Sequence, residues 1–149
     1  MRVLLVCSPG GHLQQMLALR PAWEGWERSW ATLPGSDVAS LLAEERVTLA
    51  HGPTNRSLRN LARNLAVAWR VLRAEKPDAV LSTGAALAVP FFLVAKLLRI
   101  RAVYVESVTR TENLSLSGRL VYPLADDFYV QWPDLASRLK RAHYAGAVL

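Results

Sequence analysis

Short runs of β-branched and leucine residues alternate with segments of helical spacing along this chain, and that alternation restricts the fold more than any other feature. The six runs are Met1 to Cys7, Arg28 to Leu33, Val47 to Ala50, Ala79 to Leu81, Arg101 to Val105 and Asp127 to Gln131. The first is nearly all apolar, the pattern of a parallel strand covered on both faces. An α/β architecture follows: one Rossmann-like parallel sheet with helices on both faces, in a single domain over residues 1–149. A chain of that length has room for one such core and not for a second of equal size.

In sheets of this kind ligands sit beyond the carboxyl ends of the strands, where the strand order reverses. If the first, fourth and fifth strands are neighbours, three short segments converge there: Ser8-Pro9-Gly10-Gly11-His12, Ser82-Thr83-Gly84 and Glu106-Ser107. Gly10 and Gly11 turn the backbone between strand and helix and leave the following amides open to a ligand. Leu13, Met16, Leu17 and Arg20 follow at helical spacing, so His12 stands at the first turn. The positive end of the helix dipole there favours the neutral ring, a proton acceptor. Spacing alone admits two readings of this turn: a general base beside an anion cradle, or a tight turn with a surface histidine.

Lys and Arg number 18 against 12 Asp and Glu, and 52% of residues are hydrophobic. Basic and apolar together point to an anionic partner: nucleic acid, an acidic membrane surface, or a diphosphate. Arg56 to Glu75 reads as an amphipathic helix with Leu58, Leu61, Leu65, Trp69 and Leu72 on one face and Arg56, Arg59, Arg63, Arg70 and Arg73 beside it. That basic stripe is either a solvated face or a seat for phosphates and lipid head groups. Ala88 to Arg99, which includes Phe91 and Phe92, is apolar nearly all round; it is buried or membrane-facing, with Lys96, Arg99 and Arg101 at its far end able to reach lipid phosphates.

Several chemistries lack support. Gly10-Gly11 is not followed by the third glycine of G-x-G-x-x-G, nor does a G-K-[ST] occur. His12, His51 and His143 are far apart and Cys7 has no neighbour at ligand spacing, so no metal site is expected. Cys7 reads as a small core residue, and Asp126-Asp127 as structural. The longest apolar stretch, Ala85 to Ala95, is shorter than the about 20 residues a spanning helix needs and contains Pro90. The tail from His143 to Leu149 ends apolar, as though made to join something.

Ser8-Pro9-Gly10-Gly11-His12, Tyr104-Val105-Glu106-Ser107, Leu114-Ser115-Leu116-Ser117-Gly118-Arg119, Tyr122-Pro123 and Asp127-Phe128-Tyr129-Val130-Gln131-Trp132-Pro133 together resemble the membrane-side subunit of split GT-B glycosyltransferases. That family includes the N-glycan-assembly N-acetylglucosaminyltransferase subunit and bacterial capsule and exopolysaccharide homologues. The resemblance covers nearly the whole chain, and its segment from Tyr104 to Pro133 is specific.

The resemblance implies the N-terminal, acceptor-binding half of a GT-B enzyme. Such a subunit works with a separate donor-binding subunit that holds most of the UDP-sugar, and no tightly bound cofactor is expected. The acceptor would be a polyprenyl-diphosphate-linked sugar, the reaction inverting, and the location the cytoplasmic face of a membrane, without nucleic acid. His12 is then the general base and Glu106 its orienter or a competing base. Ser8, Gly10, Gly11, Ser82, Thr83, Gly84, Ser107 and Arg110 would hold the acceptor and its phosphates, with Arg59, Arg63, Arg70, Phe91, Phe92, Lys96 and Arg99 at the lipid. The eukaryotic member carries an N-terminal anchor whereas this chain begins on its first strand, so attachment is expected from surface helices or the partner. A non-catalytic scaffold and a stand-alone nucleotide-binding domain are the alternatives.

Overall fold

The computed structural model of the chain describes residues 1–148; Leu149, the end of the apolar tail, lies outside the described residues. Six parallel strands stand within a residue or two of the expected runs: β1 (Arg2–Val6), β2 (Glu27–Thr32), β3 (Val47–Leu49), β4 (Ala79–Ser82), β5 (Arg101–Val105) and β6 (Asp127–Val130). A seventh, β7 (Ala142–Tyr144), extends the edge beside β6. Its three residues form no apolar run, so the sequence carries no strand signal there.

The strand order is β3-β2-β1-β4-β5-β6-β7, with the reversal between β1 and β4. In register, Leu5 lies between Trp30 and Leu81, and Val6 between Ala31 and Ser82. The first, fourth and fifth strands are therefore adjacent, and the three segments that follow them share one edge.

Alternate residues feed two cores. Leu4, Val6, Val80, Tyr104, Phe128 and Val130 face α4 (Leu58–Glu75), α5 (Ala88–Leu98), α6 (Leu116–Val121) and α7 (Pro133–Ser137). Val3, Leu5, Cys7 and Trp30 face α1 (Gly11–Ala18), α2 (Arg20–Trp23) and α3 (Ser36–Leu41). The second set of helices leaves part of its face open. Over β4 to β6 an apolar groove of about 490 Å³ remains, lined by Leu81, Val103, Val105 and Tyr129 and by the tail from Ala145 to Val148.

Two expectations about helix faces need correction. Phe91 and Phe92 are fully buried and do not meet a membrane. Their helix α5 lies between the sheet, α4 and α6, with Phe92 edge-on to Tyr104 and Tyr104 stacked on Phe128. Only its last turn reaches solvent, at Lys96, Leu97 and Arg99.

On α4 the buried positions are Asn60, Asn64, Val67, Ala68, Val71 and Leu72, so of the expected leucine stripe only Leu72 is buried. Leu58 is 83% exposed and Trp69 45%, while Leu61 and Leu65 are half-buried. Two asparagines set this rotation. Asn64 bonds both the amide and the carbonyl of His51 (2.8 and 2.9 Å), and Asn60 donates to the carbonyl of Pro53 at 2.7 Å. Turning α4 to bury the leucines would strip these amides of partners, at about 1–3 kcal/mol per buried group. Arg59, Arg63, Arg70 and Arg73 accordingly share the open side of α4 with Leu58 and Trp69.

Among the described residues no helix is long and apolar enough to cross a membrane. Phe91→Ala should lower unfolding free energy by about 3–5 kcal/mol, whereas Leu58→Ser should change it by less than about 0.5 kcal/mol. Urea melts of the two variants check the assignment, and comparable losses would contradict it.

Candidate functional site

The crevice starts where β1 ends. Gly10 takes φ 83°, a conformation that side chains disfavour, and α1 begins at the next residue without a side-chain cap. The Gly10 amide is occupied: it donates to Asp37 Oδ2 at 2.7 Å. The amides of Gly11, His12 and Leu13 open α1 and have no acceptor within the helix. Behind the turn, burial and then the charge of Asp37 push the Cys7 thiol up to about 12, which keeps it protonated and unreactive.

His12 is held by the turn after β4. Its Nδ1 lies 3.0 Å from the carbonyl oxygen of Thr83, and the Thr83 hydroxyl donates back to the His12 carbonyl at 2.7 Å. A carbonyl only accepts, so Nδ1 carries the hydrogen and the neutral ring has its lone pair on Nε2. The ring rests on bare glycine. A Cβ on Gly84, where φ is +121°, would stand 2.9 Å from His12 Nδ1 and Cε1.

This arrangement corrects the expected phosphate cradle at Ser82, Thr83 and Gly84. All three are buried, the Ser82 hydroxyl accepts from the Gly84 amide at 3.1 Å, and the Thr83 hydroxyl is spent on His12. Their polar groups seat the histidine. Gly10, with its amide on Asp37, likewise leaves the expected set.

Glu106 is 1% exposed and is neither orienter nor rival base for His12. Its carboxylate accepts from the Ser107 amide (3.0 Å), the Ser115 amide (2.9 Å) and the Ser115 hydroxyl (2.9 Å). Ser115 Oγ in turn caps α6 by accepting from the Gly118 amide at 2.9 Å. Gly118 has no room for a Cβ against Glu106 Oε2, so a glycine is required for this approach. Glu106 thus clasps the two ends of the loop from Ser107 to Ser115. Ser107 works within the same loop, its hydroxyl 2.9 Å from Thr109 Oγ1 and 3.4 Å from Gln15 Nε2.

Gly11 and Arg110, both exposed, and half-buried Ser8 stay accessible at this edge. Lys96 and Arg99 do not join them. They lie at the end of α5, which leads into the amino end of β5 and so to the opposite edge of the sheet.

From the sequence Asp37 reads only as capping chemistry for the helix it opens, and Gln15, Gln131 and Tyr104 carry no assigned role. Gln15 stands three residues after His12 on the same helix, the one signal that could have found it. The buried Tyr104 hydroxyl has no hydrogen-bond partner among the described residues, and burial, then the Glu106 charge, raise its pKa. Among the described residues no group of His, Cys, Asp or Glu has the makings of a metal site.

Residues 45–148 match the family described as "Oligosaccharide biosynthesis protein Alg14 like". The chain belongs to that family. Similar proteins carry the name "UDP-N-acetylglucosamine transferase subunit ALG14", among them one from a fungus and one from human. The Eremothecium gossypii protein is 43% identical over 124 residues, 77% of this chain and 55% of that protein. The Homo sapiens protein is 36% identical over 89 residues, 56% of this chain and 41% of that one. The chain thus spans about half the length of these relatives.

Acinetobacter baumannii MurG is similar in structure, with a TM-score of 0.81 at 18% identity over 98% of this chain and 45% of that one. Neisseria meningitidis UDP-GlcNAc 2-epimerase, solved with UDP-GlcNAc, gives 0.73 at 19% identity over 98% and 47%. The fold is that of the N-terminal half of these two-domain proteins.

Glu106→Ala would leave the amides of Ser107 and Ser115 without their acceptor, and should cost about 2–4 kcal/mol of stability. Arg110→Ala, on the exposed part of the same loop, should cost less than about 0.5 kcal/mol. Denaturant titration decides; an equally small loss for both would remove Glu106 from its role as clasp.

Proposed function

We propose that this chain is the acceptor-binding subunit of an inverting UDP-N-acetylglucosamine transferase, acting with a separate donor-binding subunit on a polyprenyl-diphosphate-linked sugar. The observation that carries the reading is His12 at the reversal point of the sheet, its Nδ1 committed to the Thr83 carbonyl, in a chain of the Alg14-like family. The names of the relatives supply the sugar nucleotide.

The acceptor hydroxyl oxygen attacks the anomeric carbon of the donor sugar while its proton passes to Nε2 of His12. The bond from that carbon to the UDP oxygen breaks, UDP leaves with the electron pair, and configuration inverts. The Thr83 carbonyl stabilises the imidazolium through the proton on Nδ1. The amides that open α1 and the Arg110 guanidinium hold the acceptor diphosphate. The donor-binding subunit covers the apolar groove over β4 to β6 beside the tail.

Transfer from labelled UDP-GlcNAc to a polyprenyl-diphosphate-sugar should require both chains, and His12→Ala should lower it by about 10²- to 10⁴-fold without releasing the partner. Full activity of the partner alone would reduce this chain to a scaffold, and undiminished turnover by the variant would remove His12 from the chemistry.

Peripheral attachment at the cytoplasmic face of a membrane, in glycan, capsule or exopolysaccharide assembly, completes the proposal. The open side of α4 supports it, with Leu58 and Trp69 among Arg59, Arg63, Arg70 and Arg73. Co-flotation with vesicles of phosphatidylcholine and phosphatidylglycerol should fall as salt rises, and should fall further when Arg59, Arg63 and Arg70 are changed to Glu. Equal recovery from vesicles of phosphatidylcholine alone would refute the electrostatic contact.

A further inference from the structure

Gln131 lies one residue beyond β6, is 2% exposed, and has both ends of its side-chain amide committed. Nε2 donates to Gln15 Oε1 at 2.7 Å and to the Glu106 carbonyl at 2.9 Å. Oε1 accepts from the amide of Val148 at 2.6 Å. Backbone groups fix this orientation, because the Glu106 carbonyl only accepts and the Val148 amide only donates. Gln15 is fixed in turn: its Oε1 also accepts from the Val108 amide at 3.3 Å, and its Nε2 donates to Ser107 Oγ at 3.4 Å.

This buried amide therefore joins three elements, α1, the end of β5 and the tail beyond β7, and through Gln15 it reaches the loop that follows β5. Gln15 stands one turn from His12 on α1, and the tail lines the open apolar groove. We infer that Gln131 is a positioning residue that couples the seating of the C-terminal tail to the placement of His12 and of the Ser107–Ser115 loop. A partner that covers the groove presses on the tail, and this amide carries the change to the catalytic helix. That consequence rests on the proposed function; the coupling itself is a property of this chain alone.

Two substitutions break opposite sides of the amide in the full chain. Gln131→Glu replaces the donor facing Gln15 and Glu106 by an oxygen, and Val148→Pro removes the N–H that Val148 gives to Gln131. The chain has three histidines, so the imidazole Cε1–H resonances report the outcome directly. His51, in the loop held by Asn64, serves as internal control.

Either substitution should move the His12 resonance and leave His51 in place, and the double variant should move His12 no further than Gln131→Glu alone. In the assembled enzyme Val148→Pro should lower kcat by about 10-fold at unchanged acceptor KM. A His12 resonance unmoved by Val148→Pro, in a chain whose Tm and His51 signal are intact, overturns the coupling, as do additive shifts. Should Gln131→Glu fail to fold, Val148→Pro, which leaves Gln131, Gln15 and Glu106 in place, still decides. The spectroscopic measurement needs no turnover, so absence of transferase activity would overturn the proposed function and leave the coupling standing.

Discussion

The paired hydrogen bonds between His12 and Thr83 are the constraint on which the crevice depends. They cross the one place in the sheet where the strand order reverses, and they tie the helix that follows β1 to the turn that follows β4. Elsewhere adjacent strands are linked by their ladder; beyond their carboxyl ends only side chains and turn backbones remain to do it. The pair satisfies a buried hydroxyl and fixes the tautomer of the imidazole in one stroke. Gly84 follows from it, since a Cβ there would occupy the place of the ring.

The polar groups next to that pair obey the same accounting. Buried donors and acceptors in a low-dielectric interior need partners, and most of the side chains that resemble ligand-binding groups in the sequence turn out to satisfy one another. Ser82 takes the Gly84 amide, Glu106 takes the amides of Ser107 and Ser115, and Asp37 takes the Gly10 amide. Most polar groups of the crevice wall are committed for that reason. The groups left uncommitted are few, and they are the ones the proposed function assigns to the ligand: the first amides of α1, the far nitrogen of His12 and the exposed arginine of the loop.

How much of this was legible depended on the kind of signal involved. Strands buried on both faces announce themselves, and β5 was read to the residue. The adjacency of β1, β4 and β5 enters from the sequence only as a condition that the usual strand orders of such sheets meet, and the structure meets it. Helix faces were less legible. A helical wheel ranks residues by hydrophobicity, and it points away from Asn60 and Asn64, whose burial is favoured by bonds to a loop that the wheel does not contain. Glu106 was found as a residue but misread in role. A carboxylate after a strand marks a catalytic group and a loop clasp with the same letter, and only the positions of Ser115 and Gly118 distinguish them. Gln131 and Gln15 lie 116 residues apart, beyond the reach of any local pattern.

The uncovered part of the second sheet face completes the physical picture. A doubly wound sheet buries both faces because its central strands are apolar on both. Here Leu81, Val103, Val105 and Tyr129 floor a groove that Leu19, Ala22 and Trp26 border on one side without closing it, and the tail along the other side contributes only a few small residues. Closing a groove of this size stabilises an assembly chiefly by removing apolar area from water, at about 25 cal/mol per Å². Such a surface therefore rewards a partner in proportion to how completely it is covered. It also lies beside Gln131, so on the proposed function the burial that joins two chains would act on the element that positions His12. Assembly and the geometry of the proposed base would then be parts of one equilibrium, without a separate switch.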